Sequence, residues 1–172
     1  MDHHIPETDR TPPSHEALPV QTGLSEEKRQ ALSTALARVL ADTYTLLGKT
    51  HGFHWNVTGP HFHSLHEMFQ EQYEDLTDAV DALAERIRAL GHFAPGSLSQ
   101  FLKLTGIEDE HGVPSPRVML GQLVRDNEMV VQSCRETVRI AQEAGDTVTE
   151  DLMNARMGYH EKTAWMLRAT IG

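Results

Sequence analysis

The chain has 172 residues and a mass of 19.3 kDa, the size of a single domain that buries about 70% of its unfolded surface. Its 25 acidic and 15 basic side chains give a formal charge of −10, which excludes a uniformly basic nucleic-acid-binding surface. A single cysteine excludes an intrachain disulfide framework and any multi-cysteine zinc or iron–sulfur site.

The chain opens with a proline-rich stretch and then changes to a helical pattern. Residues 1–23 carry four of the eight prolines and few large apolar groups, which predicts an extended tail. A first long helix is predicted over residues 25–55, because Ser25 suits an N-cap and apolar residues then recur at helical spacing. Glycine and proline within residues 56–60 end this pattern.

Three further long helices and one short helix follow along the chain. A second long helix is predicted over residues 60–90, where apolar residues keep a period of three to four up to Gly91. A short helix over residues 97–104 precedes a loop rich in glycine and proline. The last two long helices are predicted over residues 117–144 and 147–171.

Four long helices, one long crossover and no strand-like alternation predict an all-α, ferritin-like four-helix bundle over residues 24–172. The short helix lies in the crossover between the second and third long helices. The sequence shows neither a basic and then apolar leader nor an apolar run of the roughly 18 residues that a membrane span needs. We therefore expect no membrane association and a cytoplasmic location.

Histidine is unusually frequent, since the chain contains 11. Five lie at the junction of the first two predicted helices: His51, His54, His61, His63 and His66. His63, His66 and Gln70 project from one helical face. We interpret His51 and His61 as solvated or hydrogen-bonded side chains rather than ligands.

Asp81 and Glu85 form a carboxylate pair further along the second helix. Imidazole and carboxylate together suit a divalent transition metal such as iron or zinc. At 1.5 Å per residue, His66 and Asp81 lie about 22 Å apart along the helix, too far for one metal site. If two copies of this helix pack antiparallel about a two-fold axis, the histidine end of one meets the carboxylate end of the other. The spacing therefore predicts two equivalent metal centres at a dimer interface.

Other metal-binding patterns fit the sequence poorly. An intrachain di-iron bundle needs a Glu from each of two helices and a Glu-x-x-His from each of the other two. The one Glu-x-x-His, from Glu108 to His111, falls in the predicted crossover. The zincin pattern fails because Gln70 stands where its second histidine should be. These departures favour a shared centre over an ordinary ferritin centre.

Three stretches resemble the Dps family, the DNA-protecting miniferritins of starved bacterial cells: HGFHWNVTGPHFHSLHEMF, DAVDALAERIRALG and HEKTAWMLRATIG. The resemblance runs over most of residues 24–172. It implies a four-helix bundle that assembles into a hollow dodecameric shell, oxidises Fe(II), usually with hydrogen peroxide, and stores a ferric mineral inside. It also implies that the metal centres lie between two-fold-related subunits, in agreement with the spacing.

The resemblance also implies roles for individual residues. It assigns His54 and His66 as iron ligands from one subunit, and Asp81 and Glu85 as ligands from its partner. Trp55 corresponds to the tryptophan that the family places near the centre, and we expect it to act as a one-electron relay or radical trap. The expected metal is iron, in a di-iron or mixed-occupancy centre.

The sequence departs from the family at Gln70, where most members place an acidic ligand. A neutral amide binds metal more weakly and supplies no negative charge to stabilise Fe(III). We hypothesise that His63 compensates, which gives a three-histidine centre. Such a centre is expected to hold zinc well and to make O₂ a competent oxidant beside hydrogen peroxide.

Asp146, Glu150 and Asp151 lie around the start of the last predicted helix. Acidic side chains at this position complement the helix dipole. The resemblance offers another interpretation, in which the three acids line pores through which Fe(II) enters the shell. A focused negative potential there would raise the local concentration of cations.

We expect little direct DNA binding near neutral pH. Residues 1–20 carry a side-chain charge of −3, the chain ends without a basic extension, and phosphate attraction requires clustered cations. DNA protection would then come from removal of Fe(II) and peroxide. Two alternatives remain: a nucleoid-associated, DNA-binding structural protein with a zinc-stabilised dimer, and a histidine-rich zinc buffer without redox turnover.

Overall fold

A computed structural model describes residues 19–172, which form five α-helices and no strand. The helices are α1 (Glu26–Asn56), α2 (Phe62–Ala89), α3 (Leu98–Leu104), α4 (Pro116–Ala144) and α5 (Thr147–Ile171). Every helix end lies within two residues of its prediction. Most of the tail predicted over residues 1–23 lies outside the described residues.

Local capping interactions explain where the helices begin and end. The Ser25 side chain accepts a hydrogen bond from the Lys28 backbone N–H at the start of α1. Ser97 and Gln100 form a reciprocal capping box at the start of α3. Gly145 ends α4 with a φ of 76°, a left-handed conformation that glycine adopts without strain.

The four long helices form the bundle, and α3 lies in the crossover between α2 and α4. Helix α1 packs against α2, α3 and α4, while α5 packs mainly against α4. The largest fully buried side chains come from all four long helices: Leu32, Leu36, Leu40, Leu46, Phe69, Leu76, Leu83, Ile87, Met119, Leu123 and Met153. Burying each such side chain contributes about 1.5–3 kcal/mol, so this apolar interior holds the bundle together.

A buried carboxylate fixes the crossover to the bundle. Asp42 on α1 has no exposed surface. Its oxygens accept hydrogen bonds from Thr105 Oγ1 at 3.0 Å and from the Gly106 backbone N–H at 2.7 Å. They also accept one from Ser133 Oγ on α4 at 2.7 Å. The residues after α3 are therefore tied to two of the long helices. None of the helices in residues 19–172 has the length and apolar content to cross a membrane.

The end of α2 depends on a glycine. Gly91 has a φ of 94°, and a Cβ atom there would lie 2.9 Å from Val20 Cγ2. We expect Gly91→Ala to lower the free energy of unfolding by about 1–3 kcal/mol, because it adds backbone strain and a close contact. Urea unfolding at fixed chain concentration measures the loss. Gly96→Ala is the matched control, because its Cβ would meet nothing within 4 Å. Equal stability of the two variants would contradict the prediction.

Candidate metal centre

The turn between α1 and α2 brings together two histidines that are twelve residues apart. The rings of His54 and His66 stack with their centroids 3.7 Å apart and their planes inclined by 20°. His54 Nδ1 lies 2.8 Å from the His66 carbonyl oxygen, and His66 Nδ1 lies 2.9 Å from the His54 carbonyl oxygen. Because a carbonyl oxygen only accepts hydrogen bonds, each Nδ1 must carry a hydrogen.

The reciprocal hydrogen bonds determine which atoms can bind a metal ion. In a neutral imidazole that carries its hydrogen on Nδ1, the lone pair is on Nε2. Metal-binding histidines commonly use this arrangement, with one ring nitrogen bound to a carbonyl and the other bound to the metal. His54 is buried, His66 is half-buried, and Phe62 stacks on His66 with ring centroids 5.1 Å apart. Each ring therefore keeps its lone pair on Nε2, which is the atom that would bind a metal.

Three further rings continue from the His54–His66 pair. Tyr73 meets His54 edge-on, with ring centroids 5.1 Å apart. His51 stacks on Tyr73 at 4.1 Å and contacts Trp55 at 4.2 Å. Trp55 is therefore linked to the histidine pair through His51 and Tyr73, and its role as a one-electron relay stays a prediction. The sequence did not predict the contacts of Tyr73, although the four-residue spacing of His51 and Trp55 placed these two residues on one face of α1.

His63 and Gln70 lie on the exposed surface of α2. The His63 side chain is 82% exposed, and its Nε2 lies 3.5 Å from Glu67 Oε1. Gln70 donates a hydrogen bond from Nε2 to Glu74 Oε1 at 2.8 Å. Neither side chain joins the His54–His66 stack within this chain, so their roles as metal ligands stay predictions.

The two carboxylates lie at the other end of α2. Asp81 and Glu85 are both exposed, and α2 continues without interruption from His66 past both residues. A straight helix separates His66 from Asp81 by about 22 Å. In residues 19–172, no three His, Cys, Asp or Glu side chains come together in a way that could hold a metal ion. A centre built from all four predicted ligands therefore requires a second copy of the chain.

Comparisons with known proteins show the family of the chain. A family model for the ferritin-like domain matches residues 33–172. A low temperature-induced protein of Nostoc is 43% identical over 154 residues, which are 88% of this chain and 86% of that protein. A DNA protection during starvation protein of Bacillus anthracis is 35% identical over 134 residues, covering 78% of this chain and 92% of that protein. The crystal structure of a Dps protein from Vibrio cholerae O1 has a TM-score of 0.86 and 32% identity, and covers 92% of this chain and 100% of that chain.

The chain belongs to the Dps family. The matches confirm both predictions from the sequence, the family and the all-α, ferritin-like bundle. It also supports a miniferritin role in iron storage and DNA protection.

The acidic residues proposed to line a pore differ in their surroundings. Asp146 is buried, caps α5, and accepts hydrogen bonds from Thr149 Oγ1 at 2.5 Å and Arg86 Nη2 at 2.6 Å. Glu150 is half-buried and accepts from Gln142 at 2.7 Å, whereas Asp151 is exposed. Asp146 already forms an ion pair with Arg86 within the chain, and the role of all three acids in a pore stays a prediction. Glu150 and Asp151 are the more accessible of the three acids in this Dps-family chain.

Replacement of Asp146 tests its structural role. Burial alone would raise the pKa of Asp146, but the hydrogen bonds from Thr149 and the charge of Arg86 outweigh it, so the pKa lies below its usual range. We expect Asp146→Ala to cost about 2 kcal/mol of unfolding free energy near neutral pH, since it removes a helix cap and a buried partner of Arg86. A depressed carboxyl pKa stabilises the fold above the usual aspartate range, and this contribution is lost as the pH falls through the lowered value. Urea unfolding across the acid range should show the two proteins converging.

The bundle interior holds a different histidine in a closed polar network. His160 is fully buried, and its Nδ1 donates to Asn127 Oδ1 at 2.7 Å while its Nε2 accepts from Arg156 at 3.1 Å. Arg156 also binds Asp75 at 2.7 Å. Burial and the nearby Arg156 lower the pKa of His160 to about 3, so the ring is neutral at neutral pH. Both ring nitrogens are occupied, which leaves His160 without a lone pair for a metal.

Proposed function

We propose that this Dps-family chain is a ferroxidase and iron-storage protein. Two copies bind Fe(II) between them, with His54 and His66 supplied by one copy and Asp81 and Glu85 by the other. Twelve copies form a hollow shell, and ferric mineral accumulates inside it. The observation that carries this proposal is the His54–His66 pair, whose Nδ1 atoms are both held by carbonyl oxygens.

The donor set suits the oxidation of iron. Neutral imidazole nitrogens bind Fe(II), and the two carboxylates stabilise the additional charge of Fe(III). Two Fe(II) ions supply the two electrons that convert one H₂O₂ and two protons into two H₂O, so no hydroxyl radical is released. The Vibrio cholerae relative is described as a ferritin-like diiron-carboxylate protein, which supports iron as the metal. His63 completes a three-histidine centre in this proposal, because the amide of Gln70 binds metal more weakly than an imidazole does.

The charge of the chain suits a cation substrate. A formal charge of −10 per chain attracts Fe(II), and the exposed Asp151 and half-buried Glu150 supply negative potential where we propose the entry pores. The same charge repels phosphate. We therefore expect no retardation of duplex DNA in a mobility-shift assay at physiological salt. Retardation under those conditions would favour the nucleoid-binding alternative.

Anaerobic loading with Fe(II), followed by hydrogen peroxide or air, tests the proposal. We expect rapid oxidation, with ferric iron eluting from size-exclusion chromatography with a protein of about 232 kDa, twelve times the 19.3 kDa chain. The ratio of the peroxide and air rates shows which oxidant the Gln70-containing centre prefers. Iron that stays in solution, or that oxidises no faster than in buffer, would exclude the ferroxidase function.

A further inference from the structure

Two arginine–aspartate ion pairs fasten α2 to α5. The first joins Arg86 on α2 to Asp146, which caps the start of α5, with Nη2 and Oδ2 2.6 Å apart. The second joins Asp75 on α2 to Arg156 on α5, with Oδ2 and Nη2 2.7 Å apart. Eleven residues separate the two pairs along α2, a distance of about 16 Å. The same two helices are therefore held together at two levels.

The Arg86 contact lies beside a proposed metal ligand. Arg86 directly follows Glu85, and Asp81 lies one turn earlier on the exposed face of α2. Arg86 Nε also donates a hydrogen bond to Thr149 Oγ1 at 2.9 Å, and Thr149 has no exposed surface. Thr149 Oγ1 in turn donates to Asp146 Oδ2 at 2.5 Å. Arg86 therefore binds a buried, hydrogen-bonded corner at the start of α5 through two of its nitrogens.

The carboxylates need such support because Glu85 lies close to the end of α2. The helix ends at Ala89, and the last carbonyl groups of a helix lack intrahelical partners, so helix ends fray. Leu83 and Ile87 hold one side of this turn in the apolar interior, where α2 packs mainly against α1. The contacts of Arg86 hold the side that faces α5. Metal ligands have to stand within about 0.5 Å of their productive positions, so the placement of this turn decides whether Glu85 can bind.

We propose that Arg86 is a positioning residue for the carboxylate half of the metal centre. By binding Asp146 and Thr149, it fixes the end of α2 so that Asp81 and Glu85 reach the metal bound by the histidines of the other copy. Arg86 itself does not touch the metal. Its role at the centre rests on the proposed function, whereas the support of the helix end rests on contacts within one chain.

Anaerobic titration with Co(II) tests the role at the centre. Co(II) binds imidazole and carboxylate ligands, is not oxidised under these conditions, and has a visible spectrum that reports the number and geometry of its ligands. The double variant Arg86→Met/Asp146→Asn removes both charges, and asparagine keeps the cap of α5. We expect its assembled shells to bind Co(II) about tenfold more weakly than the unmodified protein, with an altered visible spectrum. Arg86→Lys keeps the ion pair and should retain most of the affinity.

The second ion pair provides the matched control. Arg156→Met/Asp75→Asn removes the other arginine–aspartate pair between the same two helices. We expect this variant to bind Co(II) as tightly as the unmodified protein, with the same visible spectrum. Urea unfolding at fixed chain concentration shows how far each double variant is destabilised. An equal loss of Co(II) affinity in both double variants, or unchanged affinity in Arg86→Met/Asp146→Asn, would overturn the proposal.

Amide hydrogen exchange separates failure of this proposal from failure of the proposed function. In the metal-free Arg86→Met/Asp146→Asn protein, we expect the backbone amides of residues 81–89 to exchange severalfold faster than in the unmodified protein. The amides of residues 62–70, at the other end of α2, should exchange as before. Unchanged exchange over residues 81–89 would overturn the proposal and leave the proposed function intact. If the unmodified protein binds no Co(II), the proposed function fails, and the exchange result alone decides whether Arg86 holds the helix end.

Discussion

Co-expression of His66→Ala chains with Glu85→Ala chains is expected to restore about one quarter of the ferroxidase centres, although each variant alone is inactive. In a mixed dimer, one centre receives both intact ligands and the other receives neither. Random pairing makes half of the dimers mixed, so one centre in four is complete. Recovery of this size is specific to a centre that draws its ligands from two chains.

The single variants set the baseline for this experiment. Loss of either ligand should lower the rate of Fe(II) oxidation by peroxide about 100-fold or more, because even an outer partner of a metal ligand is worth about 10–100-fold. Stopped-flow absorbance of Fe(III) measures the rate, with the two chains carrying different affinity tags so that mixed shells can be purified. His61→Ala with Asp78→Ala is the matched control pair, since both residues are exposed and neither is proposed as a ligand. Intact mixed shells without recovered activity would contradict the shared centre.

Lys49→Met is expected to cost about 3–5 kcal/mol of unfolding free energy, the largest stability loss that we predict for one substitution. Lys49 Nζ lies 2.7 Å from Asp126 Oδ2, and the side chains are only 5% and 10% exposed. Removing the ammonium group leaves a buried carboxylate without its partner. The pair joins α1 to α4, so its loss also weakens the contact between these helices.

The pH dependence of this loss has a definite sign. Burial raises the pKa of Asp126 even though Lys49 hydrogen-bonds to it. A carboxyl group with a raised pKa favours the fold when protonated, and this advantage is lost as the pH rises through the raised value. Lys49→Met should therefore destabilise most near neutral pH and progressively less toward acid pH. Urea unfolding at fixed chain concentration measures both effects.

A double variant provides the control for the buried ion pair. Lys49→Met with Asp126→Leu replaces both charges by apolar groups, and such replacements are often neutral or stabilising. We expect the double variant to recover most of the stability lost in Lys49→Met. If the double variant is as unstable as the single one, packing of the lysine stem, and not the unpaired carboxylate, accounts for the loss.

The sequence predicted the helices well because the determining signals are local. Apolar spacing, the Ser25 cap and the glycine and proline breaks each act within a few residues. The candidate ligands His54 and His66 were also identified from sequence. Their reciprocal hydrogen bonds were not, because these depend on how the turn aligns two helix ends.

The missed features involve contacts between residues that are distant in sequence. Asp146 was recognised as an acid near a helix start, but its ion pair with Arg86, sixty residues earlier in the chain, was not predicted. The stacking of His51 on Tyr73 was not predicted either, because Tyr73 lies on another helix. Such contacts depend on helix packing, which periodicity along one chain does not reveal.

The uninterrupted 28-residue length of α2 has a consequence for a newly made chain. The helix keeps imidazoles and carboxylates at opposite ends, and its rigidity prevents the chain from folding back to unite them. Under the proposed arrangement, a monomer has no complete metal centre and does not oxidise Fe(II). Fe(II) oxidation begins only after two chains have dimerised. The first step of shell assembly therefore also creates the first metal centres. Ferric iron then forms only on chains that have already started to assemble into the proposed shell.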